Sequence, residues 1–165
     1  MTQVITVDVR PPTLDTASIM FDIALNSRAV DTYPEYFYLT MCRDFAATSL
    51  VAHEGGRAIA YALPYAKHED PGVLYIRQLA AIQEPRSRGV AQQLIRSLID
   101  NRRDDLAYVE ATIDLDNTII YNVLSKIANE YGVVMKTYPL YEDHHFTIDH
   151  RPEHLVKIGP FGEQV

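Results

Sequence analysis

Residues 86–91, Arg86-Ser87-Arg88-Gly89-Val90-Ala91, stand where a strand pattern gives way to a helix pattern. The first turn of a helix presents unpaired N–H groups and about half a positive charge. Gly89 lets a ligand approach the backbone, Ala91 keeps the next turn clear, and Arg86 and Arg88 add mobile positive charge. Together these suit a phosphate or pyrophosphate. No Gly-Lys-Ser/Thr follows, so the turn is not a P-loop, and it lacks the three glycines of the dinucleotide fingerprint. Taken alone, the segment also reads as a plain strand-to-helix turn with solvated arginines. Cys42 falls at helical spacing from Phe45, which marks it as buried rather than reactive. His144 and His145 are adjacent, and adjacent residues of a strand point to opposite faces, so a shared metal is not expected there.

Strands and helices must position these groups. Residues 3–9 alternate and are β-branched, which predicts a strand ended by Pro11 and Pro12. A helix follows, with Thr13 as N-cap and Ile19 and Ile23 on one face. Thr32-Tyr33-Pro34-Glu35 has the form of a capping box opening a helix to about Phe45. Residues 48–53 and 57–66 form a hairpin through Glu54-Gly55-Gly56. The strand Leu74 to Ile82 sets Leu74, Ile76, Gln78, Ala80 and Ile82 on one face, and Tyr75, Arg77, Leu79 and Ala81 on the other. One helix carries Ala91, Leu94, Ile95, Leu98 and Ile99 at helical spacing; a second carries Ile120, Val123, Leu124, Ile127, Ala128 and Tyr131. Between them Ala107 to Ile113 reads as a strand, with Asp116 as a cap for the second helix and Gly132 as its end. The tail adds one or two antiparallel strands. This alternation predicts an α/β fold around a mixed sheet.

Composition bounds the function. The 165 residues suit a single domain over 1–165 that buries its core without staples. One cysteine excludes an internal disulfide framework and multi-Cys zinc modules. Fifteen basic against 22 acidic residues give a charge of −7, which disfavours nucleic acid and anionic membranes as general partners. No run approaches the roughly 20 apolar residues of a membrane span, and the start does not read as a signal peptide. The expectation is a cytoplasmic protein that handles a small molecule.

The pattern Arg86-x-x-Gly89-x-Ala91, on a strand, turn and helix, resembles motif A of the Gcn5-related N-acetyltransferases, Gln/Arg-x-x-Gly-x-Gly/Ala. The resemblance implies that family's fold, with a mostly antiparallel mixed sheet flanked by helices. It implies acetyl-CoA as cosubstrate and no metal. The pyrophosphate would lie on the turn from Arg86 through Ser87, Arg88, Gly89 and Val90 to Ala91. The pantetheine arm would pair along Leu79, Ala80, Ala81 and Ile82, with a backbone N–H near Ala80 or Ala81 polarising the thioester carbonyl. Asn117 would open the second helix beside the cofactor. A closer resemblance, over most of the chain, is to the L-2,4-diaminobutyrate acetyltransferases of ectoine synthesis. It is carried by VDTYPEYFYLTMCRDF at 30–45, by Thr112-Ile113-Asp114-Leu115-Asp116-Asn117, and by His150-Arg151-Pro152-Glu153-His154-Leu155-Val156-Lys157-Ile158-Gly159-Pro160.

By that resemblance Asp31, Tyr36 and Glu153 line the amine pocket, and His150 stands near the reacting nitrogen. Carboxylates suit a cationic diamine, and His150 or Glu153 can take the proton an ammonium must lose before it attacks. A homodimer is also implied. Each residue has a plainer reading: Asp31 as a helix-start acid, Tyr36 as a core tyrosine, His150 and Glu153 as solvated side chains. The sequence departs from the family at Arg77, where a tryptophan stands, at Tyr33-Pro34, where Asn-Ser stands, and at Ile120, where a serine stands. Arg77 either brings a fixed cation into the substrate pocket and alters acceptor choice, or pairs with Asp31 or Glu153. A different small amine as acceptor and a non-catalytic CoA-binding module are the competing readings.

Overall fold

A computed structural model describes residues 6–87 and 89–162, and of Arg86 the backbone alone. The first residues of the expected opening strand, Arg88, and the Arg86 side chain lie outside the described residues. The chain forms two compact units: one runs up to Tyr65 and resumes over 77–101, the other takes 66–76 and resumes at Arg102.

The first unit holds strand β1 (Asp8–Arg10), helices α1 (Ala17–Ser27) and α2 (Glu35–Asp44), β2 (Leu50–Glu54), most of β3 (Arg57–Ala66), the end of β4 (Val73–Ala81) and helix α3 (Val90–Asp100). β1 pairs antiparallel with β2, and β2 with β3. Ahead of α1, Thr16 Oγ1 accepts from the Thr13 N–H at 3.0 Å, closing a short 3-10 turn over Leu14–Thr16. Thr13 therefore starts that turn rather than α1 itself. Helix α1 buries Ala17, Met20, Ile23 and Ala24 at spacings of three and four, while Ile19 faces outward at 40% exposure.

The expected capping box of α2 does not form. Pro34 is the N-cap residue, with φ −55° and ψ 149°, and no side chain caps the helix. A proline disfavours helical conformation in the residue before it, so Tyr33 stays extended and Thr32 stands too far back to cap. Tyr38, fully buried on α2, is the centre of this unit's core. Its ring packs edge-on against Phe21, Phe37 and Tyr61, with centroids 6.0, 5.2 and 6.2 Å away.

The second unit holds the start of β4, β5 (Tyr108–Ile113), helix α4 (Thr118–Tyr131), β6 (Val134–Tyr141) and β7 (Glu153–Gly159). β4 runs parallel to β5 from Val73↔Tyr108 to Ile76↔Ala111, and β7 pairs antiparallel with both β5 and β6. The strand order is β1-β2-β3-β4-β5-β7-β6, so the sheet is mixed and mostly antiparallel, as expected. Asn117 rather than Asp116 caps α4: its Oδ1 accepts from the Ile120 N–H at 3.3 Å, while Asp116 pairs with Arg151. Gly132, at φ 66°, ends the helix in the left-handed conformation. His144 and His145 lie in a 3-10 turn and not in a strand, so their rings meet at a tilt, 4.1 Å apart, instead of pointing apart. Among the described residues no three His, Cys, Asp or Glu side chains are grouped to hold a metal.

Candidate active site

The phosphate-type turn is built by its own backbone. The Ser87 hydroxyl donates inward to the carbonyls of Ile82 at 2.6 Å and Glu84 at 2.8 Å, so it holds the turn closed. Gly89, at φ 84°, is the N-cap residue of α3. A left-handed residue there aims the chain straight into the helix, which a side chain resists. Glycine has no side chain to cap with, so the first-turn amides are left to a ligand. A Cβ at Gly89 would meet nothing within 4 Å among the described residues, so its left-handed φ and not crowding is what favours glycine there. Val90 is buried beneath the turn and offers only its backbone, while Ala91 is half-buried. Helix α3 is anchored behind them by Leu94, Ile95, Leu98 and Ile99. This donor set fits the pyrophosphate of a CoA thioester. On β4, Ala80 is buried and Leu79 and Ala81 are half-buried; just past the strand, half-buried Ile82 donates its N–H to the Ile59 carbonyl at 2.9 Å.

A second cluster in the same unit joins the segment before α2 to β4. Gln78, 5% exposed, stands on the apolar face of β4. Its Nε2 donates to the Asp31 carbonyl at 2.7 Å, and its Oε1 accepts from the Tyr61 hydroxyl at 2.8 Å. Burial pushes the Tyr61 phenol far above its usual range, so it keeps its proton as a donor. Gln78 therefore ties the Asp31 segment to the sheet. The Arg77 guanidinium lies over the Tyr33 ring, 4.5 Å from the centroid, and its Nη2 donates to the Tyr33 hydroxyl. Tyr33 packs in turn at a tilt against Phe37, with centroids 4.6 Å apart. Burial raises the Tyr33 phenol most; Arg77 pulls it down and the Asp31 carboxylate pushes it up. Among the described residues of this unit, no carboxylate forms an ion pair with Arg77. Tyr36 is not a core tyrosine: it is 75% exposed on α2.

In the second unit His150 and Glu153 stand together, Nε2 to Oε1 at 3.9 Å. The His150 Nδ1 lies 2.7 Å from the Arg151 carbonyl. A carbonyl only accepts, so Nδ1 carries the hydrogen and Nε2 of the neutral ring is left as the base. A proton gained at Nε2 would be stabilised by Glu153. The Phe146 ring stacks on the imidazole at 4.1 Å and fixes its plane. Asn117 is held as the α4 cap through Oδ1.

Sequence reasoning singled out Arg77 but gave Tyr33 and Gln78 no role. Gln78 had a visible signal, a polar residue in the register Leu74, Ile76, Ala80, Ile82. Tyr33 had none, since its partner is 44 residues away.

The sequence pattern of the acetyltransferase (GNAT) family matches residues 17–126. An L-2,4-diaminobutyric acid acetyltransferase of Nocardia farcinica is 32% identical over 158 residues, 95% of this chain and 82% of that relative. One of Streptomyces anulatus is 35% identical over 154 residues, 91% of this chain and 88% of that relative. Among solved structures, the diaminobutyrate acetyltransferase EctA of Paenibacillus lautus, in complex with L-2,4-diaminobutyric acid and coenzyme A, is similar with a TM-score of 0.90. It is 20% identical and covers 97% of this chain and 98% of its own.

Proposed function

The chain belongs to the acetyltransferase (GNAT) family, and from that premise we propose that it transfers acetyl from acetyl-CoA to the side-chain amine of L-2,4-diaminobutyrate. The observation that carries this reading is the identity of 32% and 35% to two diaminobutyrate acetyltransferases over more than nine-tenths of the chain.

The residues divide the work. The amides at the start of α3, with Arg86 and Arg88, bind the pyrophosphate, and Leu79 to Ile82 pair with the pantetheine arm. A backbone N–H near Ala80 or Ala81 holds the oxyanion that forms when the amine adds to the thioester carbonyl. Asn117 contacts the cofactor. Asp31 and Tyr36 attract the amino groups. His150 Nε2 takes the proton from the attacking ammonium, with Glu153 stabilising the imidazolium and binding substrate. The new C–N bond forms, the C–S bond breaks, and the CoA thiolate leaves. Direct transfer needs no acyl-enzyme and no metal. The protein works in the cytoplasm, as a homodimer; exposed Val134, Tyr138, Leu140 and Tyr141 on edge strand β6 support self-association.

Acetyl transfer to a panel of diamines and amino acids, with the product position read by NMR, tests the reading. Diaminobutyrate should be the best acceptor, with acetyl on its side-chain nitrogen. Faster transfer to another amine would favour the second reading, a different small acceptor, which Arg77 supports. CoA binding with no transfer to any amine would favour a non-catalytic binding module.

A further inference from the structure

We propose that Arg77, held over the Tyr33 ring, binds the carboxylate of the acceptor and restricts the enzyme to amines that carry one. The inference rests on the acetyltransferase reading and names what that site selects.

Three observations carry it. First, Arg77 is half-buried and its plane is fixed by the Tyr33 ring and hydroxyl, which orients a guanidinium as a fork. Second, the Tyr33 bond uses one of the five guanidinium donors, and among the described residues of the unit no carboxylate pairs with the group. A guanidinium set this way is complemented by a bidentate carboxylate from outside the protein. Third, the spacing fits. Arg77 and Ala81 lie on one face of β4, four residues and roughly 13 Å apart by strand rise. The Arg77 side chain, a hydrogen bond and a four-carbon amino acid are together long enough to reach from the Arg77 backbone to an acyl group near Ala81. Asp31 acts on the same Tyr33 phenol with the opposite charge. The cluster thus presents a cation and an anion to a substrate that carries both.

Kinetics with L-2,4-diaminobutyrate and with 1,3-diaminopropane, the same diamine without the carboxylate, test the proposal. The wild type should favour the amino acid by about 10- to 100-fold in kcat/KM, the worth of one charge-assisted pair. Arg77→Met should bring the two acceptors to within about threefold, raising the KM of the amino acid and, by removing a like charge, lowering that of diaminopropane. Arg77→Lys should fall between. Equal losses on both acceptors, a loss confined to kcat, or a wild type without preference would overturn it. Should Arg77→Met not fold, Tyr33→Phe, which removes only the orienting hydroxyl, should shift the same KM in the same direction. If no amine is acetylated at all, the functional reading fails, and calorimetry on the CoA-loaded protein decides the inference. Binding of the amino acid that weakens at least about tenfold in Arg77→Met supports it; unchanged binding sinks it.

Discussion

Replacing Gln78 by leucine keeps the bulk of the side chain on the apolar face of β4 and removes both of its hydrogen bonds. The Tyr61 hydroxyl is then left buried without its acceptor, since Tyr61 has no exposed surface. A buried donor without a partner costs about 1–3 kcal/mol. The Asp31 carbonyl also loses its donor, but Asp31 is exposed and water replaces part of that bond. The sum is about 2–4 kcal/mol, or roughly 5–15 °C in Tm for a domain of this size. Thermal unfolding with intact acetyl-CoA binding is the first measurement. The second separates the two bonds. Tyr61→Phe strands the amide oxygen of Gln78 but leaves the tie to Asp31, so it should lower Tm and leave the acceptor KM alone. Gln78→Leu should lower Tm and raise the acceptor KM, because the segment that carries Asp31 and Tyr33 is no longer held. A double-mutant cycle of the two should show coupling of about 1 kcal/mol or more, as expected for contacting residues. If Gln78→Leu changes the KM for acetyl-CoA as much as that for the acceptor, or leaves Tm within about 2 °C of wild type, the tether does not exist.

Gly89→Ala forces a side chain into the left-handed region but meets no neighbour, so it should cost about 1–2 kcal/mol of stability by thermal melt. Gly89→Glu should add a loss of at least about tenfold in CoA affinity by calorimetry; unchanged affinity would remove the cofactor from this turn. His53 is buried, its Nδ1 has no hydrogen-bond partner, and desolvation followed by Arg10 holds its pKa below 6.5. The unfolded chain therefore takes up a proton at His53 before the folded protein does, and Tm should fall as pH drops below about 6.5. His53→Leu should flatten that fall; an unchanged slope would acquit His53. Cys42 is 4% exposed, its Sγ packs 3.7 Å from Met20 Sδ, and burial raises its thiol pKa. Cys42→Ala should keep kcat within about twofold and lose about 1 kcal/mol of stability, whereas lost turnover would point to an acyl-enzyme.

Strand β4 was legible because its burial alternates, whereas β2 and β3, buried on both faces, were legible as apolar runs joined through Gly55-Gly56. The last two helices were legible from their apolar stripes, Ala91 to Ile99 in α3 and Ile120 to Tyr131 in α4, with Gly132 marking the end of α4. Helix α2 was legible as a helix but not as to which side faces inward. Its start, Glu35-Tyr36-Phe37-Tyr38-Leu39, is apolar all round, so periodicity cannot separate Tyr36 from Tyr38. Two residues apart on a helix lie about 200° around the axis, and only packing against Phe21 and Tyr61 sends Tyr38 in and Tyr36 out. The turn into α3 was legible because Gly89 and the strand and helix around it are local in sequence. The Arg77–Tyr33 contact was not, because it depends on which segment the tertiary fold lays across β4.

The charge of −7 says little about what each site attracts, because the local sets differ in sign. A pocket lined by carboxylates alone would draw any polyamine, and attraction by itself does not separate a diamino acid from a diamine. A fixed cation changes that balance. Two unit charges about 5 Å apart interact by about 3 kcal/mol at an effective dielectric near 20. Arg77 is half-exposed, and solvent screening lowers this figure. The sign is what matters: the term favours a substrate that turns a carboxylate to Arg77 and opposes one that turns an ammonium there. An amino acid can satisfy Asp31 and Arg77 at once, and a plain diamine must leave one of them opposed. On the proposal above, Arg77 on β4 therefore supplies discrimination by charge.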